Sequence, residues 1–158
     1  MDNVNCAQTI ISRKEAALCG LSRFYTGRLC KLGHSAPRYV SNKNCVTCNS
    51  ERAIEREKKR SATDPSYRMY RNVQRRSGQV LLGKASASDA IGCGHAKLRK
   101  HIENQFTGGM SWEKYGQWEV DHIVPLSNGQ SVDEFKFLCN YLNLQPLWKR
   151  DNLVKGSS

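Results

Sequence analysis

Two groups of residues in this chain have types and spacings suited to chemistry. The first is Cys30-x3-His34-x10-Cys45-x2-Cys48. Zn²⁺ takes four thiolate or imidazole ligands tetrahedrally, and two close pairs let each turn supply two ligands without strain. The Cys45–Cys48 knuckle leads straight into a basic helical stretch, so a metal there would replace a hydrophobic core that the segment lacks. A rival set uses Cys19 in place of His34. Gly33-His34 sits one turn from Cys30, whereas Cys19 falls in the preceding helix, so His34 is preferred; unligated thiols are the bland reading. The second group is Asp121-His122 with Asn152. Phosphodiester hydrolysis needs a base for water and a cation to bear charge on the phosphate and leaving oxygen. His122 has the unperturbed pKa for the first task. Asp121 and Asn152 offer hard oxygen ligands for Mg²⁺ or Mn²⁺, and an amide ligand leaves the ion less neutralised than a second carboxylate would. Adjacent residues on a strand point to opposite sides unless the backbone bends, and Pro125 would permit such a bend. An Asp-His pair alone, however, occurs by chance in many chains.

The elements that must position these residues can be read from pattern. Ser12-Arg-Lys-Glu15 before Ala-Ala-Leu is a capping box, predicting a short helix that ends near Gly20. Residues 21–45 are turn-rich, and residues 46–60 strongly helical. Asp64-Pro65 opens a second basic helix with Arg68, Arg71, Arg75 and Arg76. Gly78 to Ser88 reads as a linker, and a helix is predicted from about Gly94 to Phe106. Trp118 to Pro125 reads as a strand, Val132 to Tyr141 as a helix, Asn143 to Trp148 as a second strand, and a closing helix begins near Lys149. The fold class predicted is α+β: a small zinc-stabilised N-terminal module (1–60), a basic helix and linker (61–90) and a C-terminal ββα-metal core (91–158).

Charge divides along the same lines. The formal net charge is +11, with 12 Lys/Arg against 5 Asp/Glu in residues 1–60 and 5 against 6 from Ser111 onward. A basic arm on a neutral end suggests that one part grips a polyanion while the other acts on it, and double-stranded DNA is the partner expected. Arg56, Lys59, Arg60, Arg68, Arg71, Arg75 and Arg76 are the candidate phosphate contacts, which would set affinity and register, not sequence choice. A solvated basic face is the plain alternative. No apolar run reaches the ~20 residues of a membrane span, and the first ten residues lack the layout of a secretory signal, so a cytoplasmic protein is expected. Seven cysteines, an odd number in a reducing compartment, argue against a disulfide framework.

The stretch from Phe106 through Trp118-Glu-Val-Asp-His-Ile-Val-Pro125, followed by Cys139-Asn-Tyr-Leu-Asn-Leu-Gln-Pro-Leu-Trp148 and Asp151-Asn-Leu-Val-Lys-Gly156, resembles the HNH endonucleases of bacteriophages, some free-standing and some intron-borne homing enzymes. The likeness runs from about Ile91 to Gly156, and the Cys/His region resembles the zinc module often attached to them. The resemblance implies DNA cleavage to a 5′-phosphate and 3′-hydroxyl. It makes His122 the general base and Asp121 the acidic metal ligand before it. Asn143 becomes the middle asparagine that ties the loop and orients the base, and Asn152 the second metal ligand. The third position is His in many members and Asn in others, so the lettering departs here while the chemistry does not. Lys155, at i+3 on the same helix, is expected to reach a phosphate. The alternatives are a non-catalytic, zinc-stabilised DNA-binding protein and a structure-selective or RNA-directed nuclease. Trp112, Trp118 and Trp148 read as core or as braces of the loop, Cys93 and Cys139 as buried thiols, and His95 and His101 as surface or phosphate-contacting residues.

Overall fold

The computed structural model describes residues 9–156 and divides into two units, Met1–Lys59 and Arg60–Ser158. In the first, Ser12 caps α1 (Arg13–Leu18): its hydroxyl accepts from the Glu15 N–H, and the Glu15 carboxylate accepts from the Ser12 N–H. This is the reciprocal box expected from the sequence. Two short antiparallel strands follow, β1 (Arg23–Phe24) and β2 (Arg38–Tyr39), with Phe24 opposite Arg38. The long helix α2 (Val46–Thr63) starts at the CxxC knuckle. Buried hydrophobic residues of this unit are Ala16, Phe24, Cys45 and Cys48. Half of that set is thiol, too little to stabilise so many turns without cross-linking.

The second unit has a core of its own. Asp64 caps α3 (Pro65–Leu81), accepting from the Tyr67 N–H, with proline in the first turn where its missing N–H costs nothing. Met69, Val73, Ser77 and Leu81 repeat at a helical period and are buried. Met69 and Val73 pack with α4 (Ala87–Ile91), α5 (His95–Glu103), β3 (Trp118–His122) and β4 (Leu144–Trp148) through Ile91, Leu98, Ile102, Trp112, Trp118, Val120 and Leu144. A smaller cluster of Leu81, Ala90 and Cys139 lies under α6 (Val132–Leu138). Segment 61–90, expected to be a separate basic helix and linker, is therefore part of this unit, because α3 carries an apolar face beneath its arginines. The expected linker shrinks to the residues after Leu82, whose left-handed backbone (φ 49°) and that of Gly83 (φ 74°) end the helix. Gly92 closes α4 at φ 71°, and a Cβ there would come within 2.9 Å of the Asn140 amide.

β3 and β4 pair antiparallel from Trp118↔Trp148 to His122↔Leu144. Between them lie two 3-10 turns and α6. α7 (Lys149–Gly156) follows β4 at once and packs on both strands. The architecture is thus mixed α+β, with a ββα arrangement at the C-terminal end. The three tryptophans stand as expected: Trp112 and Trp118 are core, with Phe106 in edge and tilted contact with both, and Trp148 packs against that core. Cys139 is buried, as read from the sequence, whereas Cys93, also read as buried, is half-buried; Cys6 lies outside the described residues.

Candidate functional site

Cys30, His34, Cys45 and Cys48 converge, their four ligand atoms all within 4.8 Å of one another. Zinc bonds of ~2.3 Å hold two thiolates roughly 3.8 Å apart in a tetrahedron. The Cys30 and Cys48 sulfurs are 3.5 Å apart, and His34 Nδ1 is 3.2 Å from Cys48 Sγ. The loop is built for a thiolate. The N–H groups of Leu32 and His34 donate to Cys30 Sγ at 3.3 and 3.4 Å. Burial pushes the Cys30 thiol up, but these donors and the neighbouring thiols outweigh it and bring it down to about 6. Burial and its neighbours push Cys48 up to about 11. Glu51 takes the far imidazole nitrogen, His34 Nε2, at 3.3 Å, leaving Nδ1 to face the sulfurs, as a carboxylate behind a ligating histidine orients its ring. Sequence reasoning missed Glu51, although it lies one turn after Cys48 on the same helix face. The donor set fits a metal such as zinc. Cys19, the rival ligand, is an exposed residue at the end of α1 and outside the cluster.

The second candidate lies at the end of β3. Strand alternation sends Asp121 and His122 to opposite faces. Asp121 faces α7, where Lys155 Nζ lies 2.5 Å from Asp121 Oδ2, 2.6 Å from the His122 carbonyl and 3.3 Å from that of Ile123. Gln145, the register partner of Asp121, donates to the same carboxylate oxygen at 3.3 Å. His122 continues the inward face of Trp118 and Val120. It borders a cavity of about 80 Å³ shared with Asn72, Arg75, Arg76 and Tyr115. Its Nε2 is buried and, among the described residues, has no hydrogen-bond partner. Burial lowers the His122 pKa, the adjacent Asp121 opposes this, and the positive charges of Arg76 and Lys155 lower it further. At neutral pH the imidazole is therefore largely uncharged and able to accept a proton.

Asn143 closes the excursion between the strands. Its Oδ1 accepts from the Val124 N–H at 2.8 Å, and its Nδ2 donates to the carbonyls of Val124 at 3.0 Å and Leu138 at 2.8 Å. Its own carbonyl accepts from the Ile123 N–H at 2.8 Å. Both residues after His122 are pinned by this one side chain and its backbone. Asn152 sits one turn before Lys155 on α7, on the helix face that turns toward Asp121. No hydrogen bond joins the two among the described residues.

The expected phosphate contacts divide. Arg56, Lys59, Arg60, Arg68, Arg71 and Arg75 are exposed. Arg60 lies over the Tyr67 ring at 3.8 Å, and Arg68 over that of Tyr115 at 5.3 Å. Arg76 is exposed as well but differs in that its Nη1 donates to the Val120 carbonyl at 3.2 Å; with Arg75 it borders the His122 cavity. It follows Met69 and Val73 at intervals of seven and three, the period of the buried face, a signal that could have separated it from the other arginines. Lys155, expected on phosphate, is instead engaged with Asp121. His95 and His101, read as surface or phosphate-contacting residues, are half-buried and hydrogen-bonded within the unit. His95 Nε2 is 3.0 Å from the buried Ser66 hydroxyl, and His101 Nε2 is 3.0 Å from the Leu144 carbonyl.

No family model matches the chain, and no solved structure matches it significantly. It is 31% identical over 108 residues to uncharacterized protein L246 of Acanthamoeba polyphaga mimivirus, covering 65% of this chain and 48% of that one. It is 32% identical over 114 residues to uncharacterized protein L426 of the same virus, covering 68% and 50%. The chain thus spans about half the length of the curated relatives it matches. Among the described residues, no helix is long and apolar enough to cross a membrane.

Proposed function

We propose that the chain is a metal-dependent DNA endonuclease of the HNH kind, with its cleavage site at the end of β3. The observation that carries this reading is the juxtaposition on one strand end: a carboxylate and two carbonyls gathered round a cation on one face, and a largely neutral imidazole on the other. Displacement at phosphorus runs with the attacking and leaving oxygens roughly in line, so base and cation belong on opposite sides of the phosphate. Alternation along β3 turns the two side chains to opposite faces, so one phosphate meets both only at the strand end, where the chain bends after His122. The oxygen set round Lys155 Nζ, hard and net negative, fits a divalent ion such as Mg²⁺. Asp121 and Asn152 would hold it, and when bound it supplies charge stabilisation at the phosphate and leaving oxygen. His122 accepts the proton of the attacking water. Asn143 fixes the loop that carries this imidazole, and Arg76 helps to keep it unprotonated. The exposed arginines of α3 and the basic residues of α2 bind the DNA backbone, and the Cys/His centre stabilises the N-terminal unit.

Cleavage of supercoiled plasmid tests the proposal. Open-circle or linear product that requires Mg²⁺ or Mn²⁺, is abolished by EDTA and falls by at least ~10² in His122→Ala is expected. A His122→Ala protein that cuts at the wild-type rate in Mg²⁺ would refute it. The Lys155–Asp121 pair favours a second reading, a DNA-binding protein on a silent nuclease core. Plasmid retarded on a gel but uncut with either ion would support that reading.

A further inference from the structure

Resting on the cation-site reading above, we infer that the Lys155 ammonium and a divalent cation compete for one oxygen cage, formed by Asp121 Oδ2 and the carbonyls of His122 and Ile123. The lysine acts as a tethered counter-ion that must leave before the metal enters. Three oxygens from three consecutive residues converge on a single nitrogen at 2.5, 2.6 and 3.3 Å. Such a cluster of one carboxylate and two backbone dipoles is a cation site irrespective of which cation fills it. The two occupants exclude each other, because a +1 and a +2 charge at that separation repel strongly in a partly desolvated place. The Asp121 side chain is 19% exposed.

Lys155 is also built to leave. It stands in the last turn of α7 on a flexible four-carbon stem, and its side chain is 33% exposed, so a path to solvent is open. Without metal the ammonium neutralises a carboxylate that would otherwise repel an approaching phosphate. With metal the ammonium is released beside the site, where a phosphate oxygen can take it up. The lysine thus weakens divalent-ion binding and couples metal entry to the appearance of a free positive charge.

Metal binding without catalysis tests this. The zinc-loaded chain of 158 residues is titrated with Mn²⁺, and free ion is followed by electron paramagnetic resonance. Lys155→Met should bind Mn²⁺ about ten-fold more tightly than wild type, within the usual range of coupling between competing ligands. Lys149→Met, which removes an equal charge from the same helix, should change affinity less than about two-fold. Asp121→Asn should lose binding. Equal or weaker affinity in Lys155→Met, or an equal gain in Lys149→Met, overturns the competition and leaves the cation site standing. Absence of Mn²⁺ binding in both wild type and Lys155→Met removes the cation site itself, and the competition with it. A measurement on the unaltered chain covers a variant that fails to fold: acetic anhydride labelling of Lys155, quantified by peptide mass spectrometry, should rise several-fold on saturation with Mg²⁺ while labelling of Lys149 stays constant. Unchanged labelling of Lys155 overturns the inference.

Discussion

Asn143 offers the sharpest test of whether the loop after His122 is held as its hydrogen bonds suggest. Replacing it with alanine removes three side-chain bonds: one from the Val124 N–H and two to the carbonyls of Val124 and Leu138. The two at Val124 are exposed, so water replaces the lost partner and each is worth about 0.5 kcal/mol. The bond to the Leu138 carbonyl is partly buried, and losing it costs about 1 kcal/mol or slightly more. Asn143→Ala should therefore lose roughly 2 kcal/mol, which in a unit of this size lowers Tm by about 10 °C. All three tryptophans of the chain, Trp112, Trp118 and Trp148, belong to this unit's core or its margin. Urea unfolding followed by tryptophan fluorescence thus reports on this unit.

Asn143→Asp gives a second constraint. It keeps the acceptor for the Val124 N–H but sets a carboxylate against the carbonyls of Val124 and Leu138, so it should be at least as destabilised as the alanine variant at pH 7. Lowering the pH should recover part of the loss, because a protonated carboxyl can again donate one bond. Its folded-state pKa is raised by the facing carbonyls, so the destabilisation is present above that pKa and fades as pH falls through it. An Asn143→Ala protein within about 0.5 kcal/mol of wild type, with unchanged dependence on urea, would refute the bracing argument.

Two further outcomes follow from the site. Cleavage should rise with pH and level off as His122 loses its proton; because burial and the charges of Arg76 and Lys155 lower its pKa, the midpoint should fall below the ~6.5 of free histidine. Arg76→Gln removes one of those charges and should move the midpoint upward in a pH–rate profile, whereas an unmoved midpoint would separate Arg76 from the imidazole. Metal analysis should find about one zinc per chain, and the double variant Cys45→Ser, Cys48→Ser should lose it, since the remaining Cys30–His34 pair supplies half a tetrahedron; full zinc retention would exclude the cluster as its site.

What was legible in the sequence is what local chemistry decides. Ser12 with Glu15 and Asp64 with Pro65 are set by residues within a turn of one another, and the helices begin where these say. The Cys/His set was legible because zinc tolerates few donor types and its ligands come in close pairs. The extent of the second unit was less so. Arg68, Arg71, Arg75 and Arg76 made α3 look like a polar arm, and their charge hid the Met69, Val73, Ser77 and Leu81 face on which the core is built. Long basic side chains cover apolar surface at little cost, so a helix can be strongly charged and still be a core element.

The relation between Asp121 and Lys155 was beyond reach of spacing alone, since 33 residues lie between them and only the turn from β4 into α7 brings them together. The same geometry is what the proposed nuclease reading would use to give adjacent residues separate roles. A strand end gives neighbouring side chains two faces, α7 covers one and α3 the other, and each helix contributes its own positive charge, Lys155 to the carboxylate and Arg76 to the imidazole. The two charges have different consequences. Lys155 sits on the carboxylate, whereas Arg76 is anchored to the Val120 carbonyl, so under the proposed competition only the α7 side of the site would change its charge on metal binding.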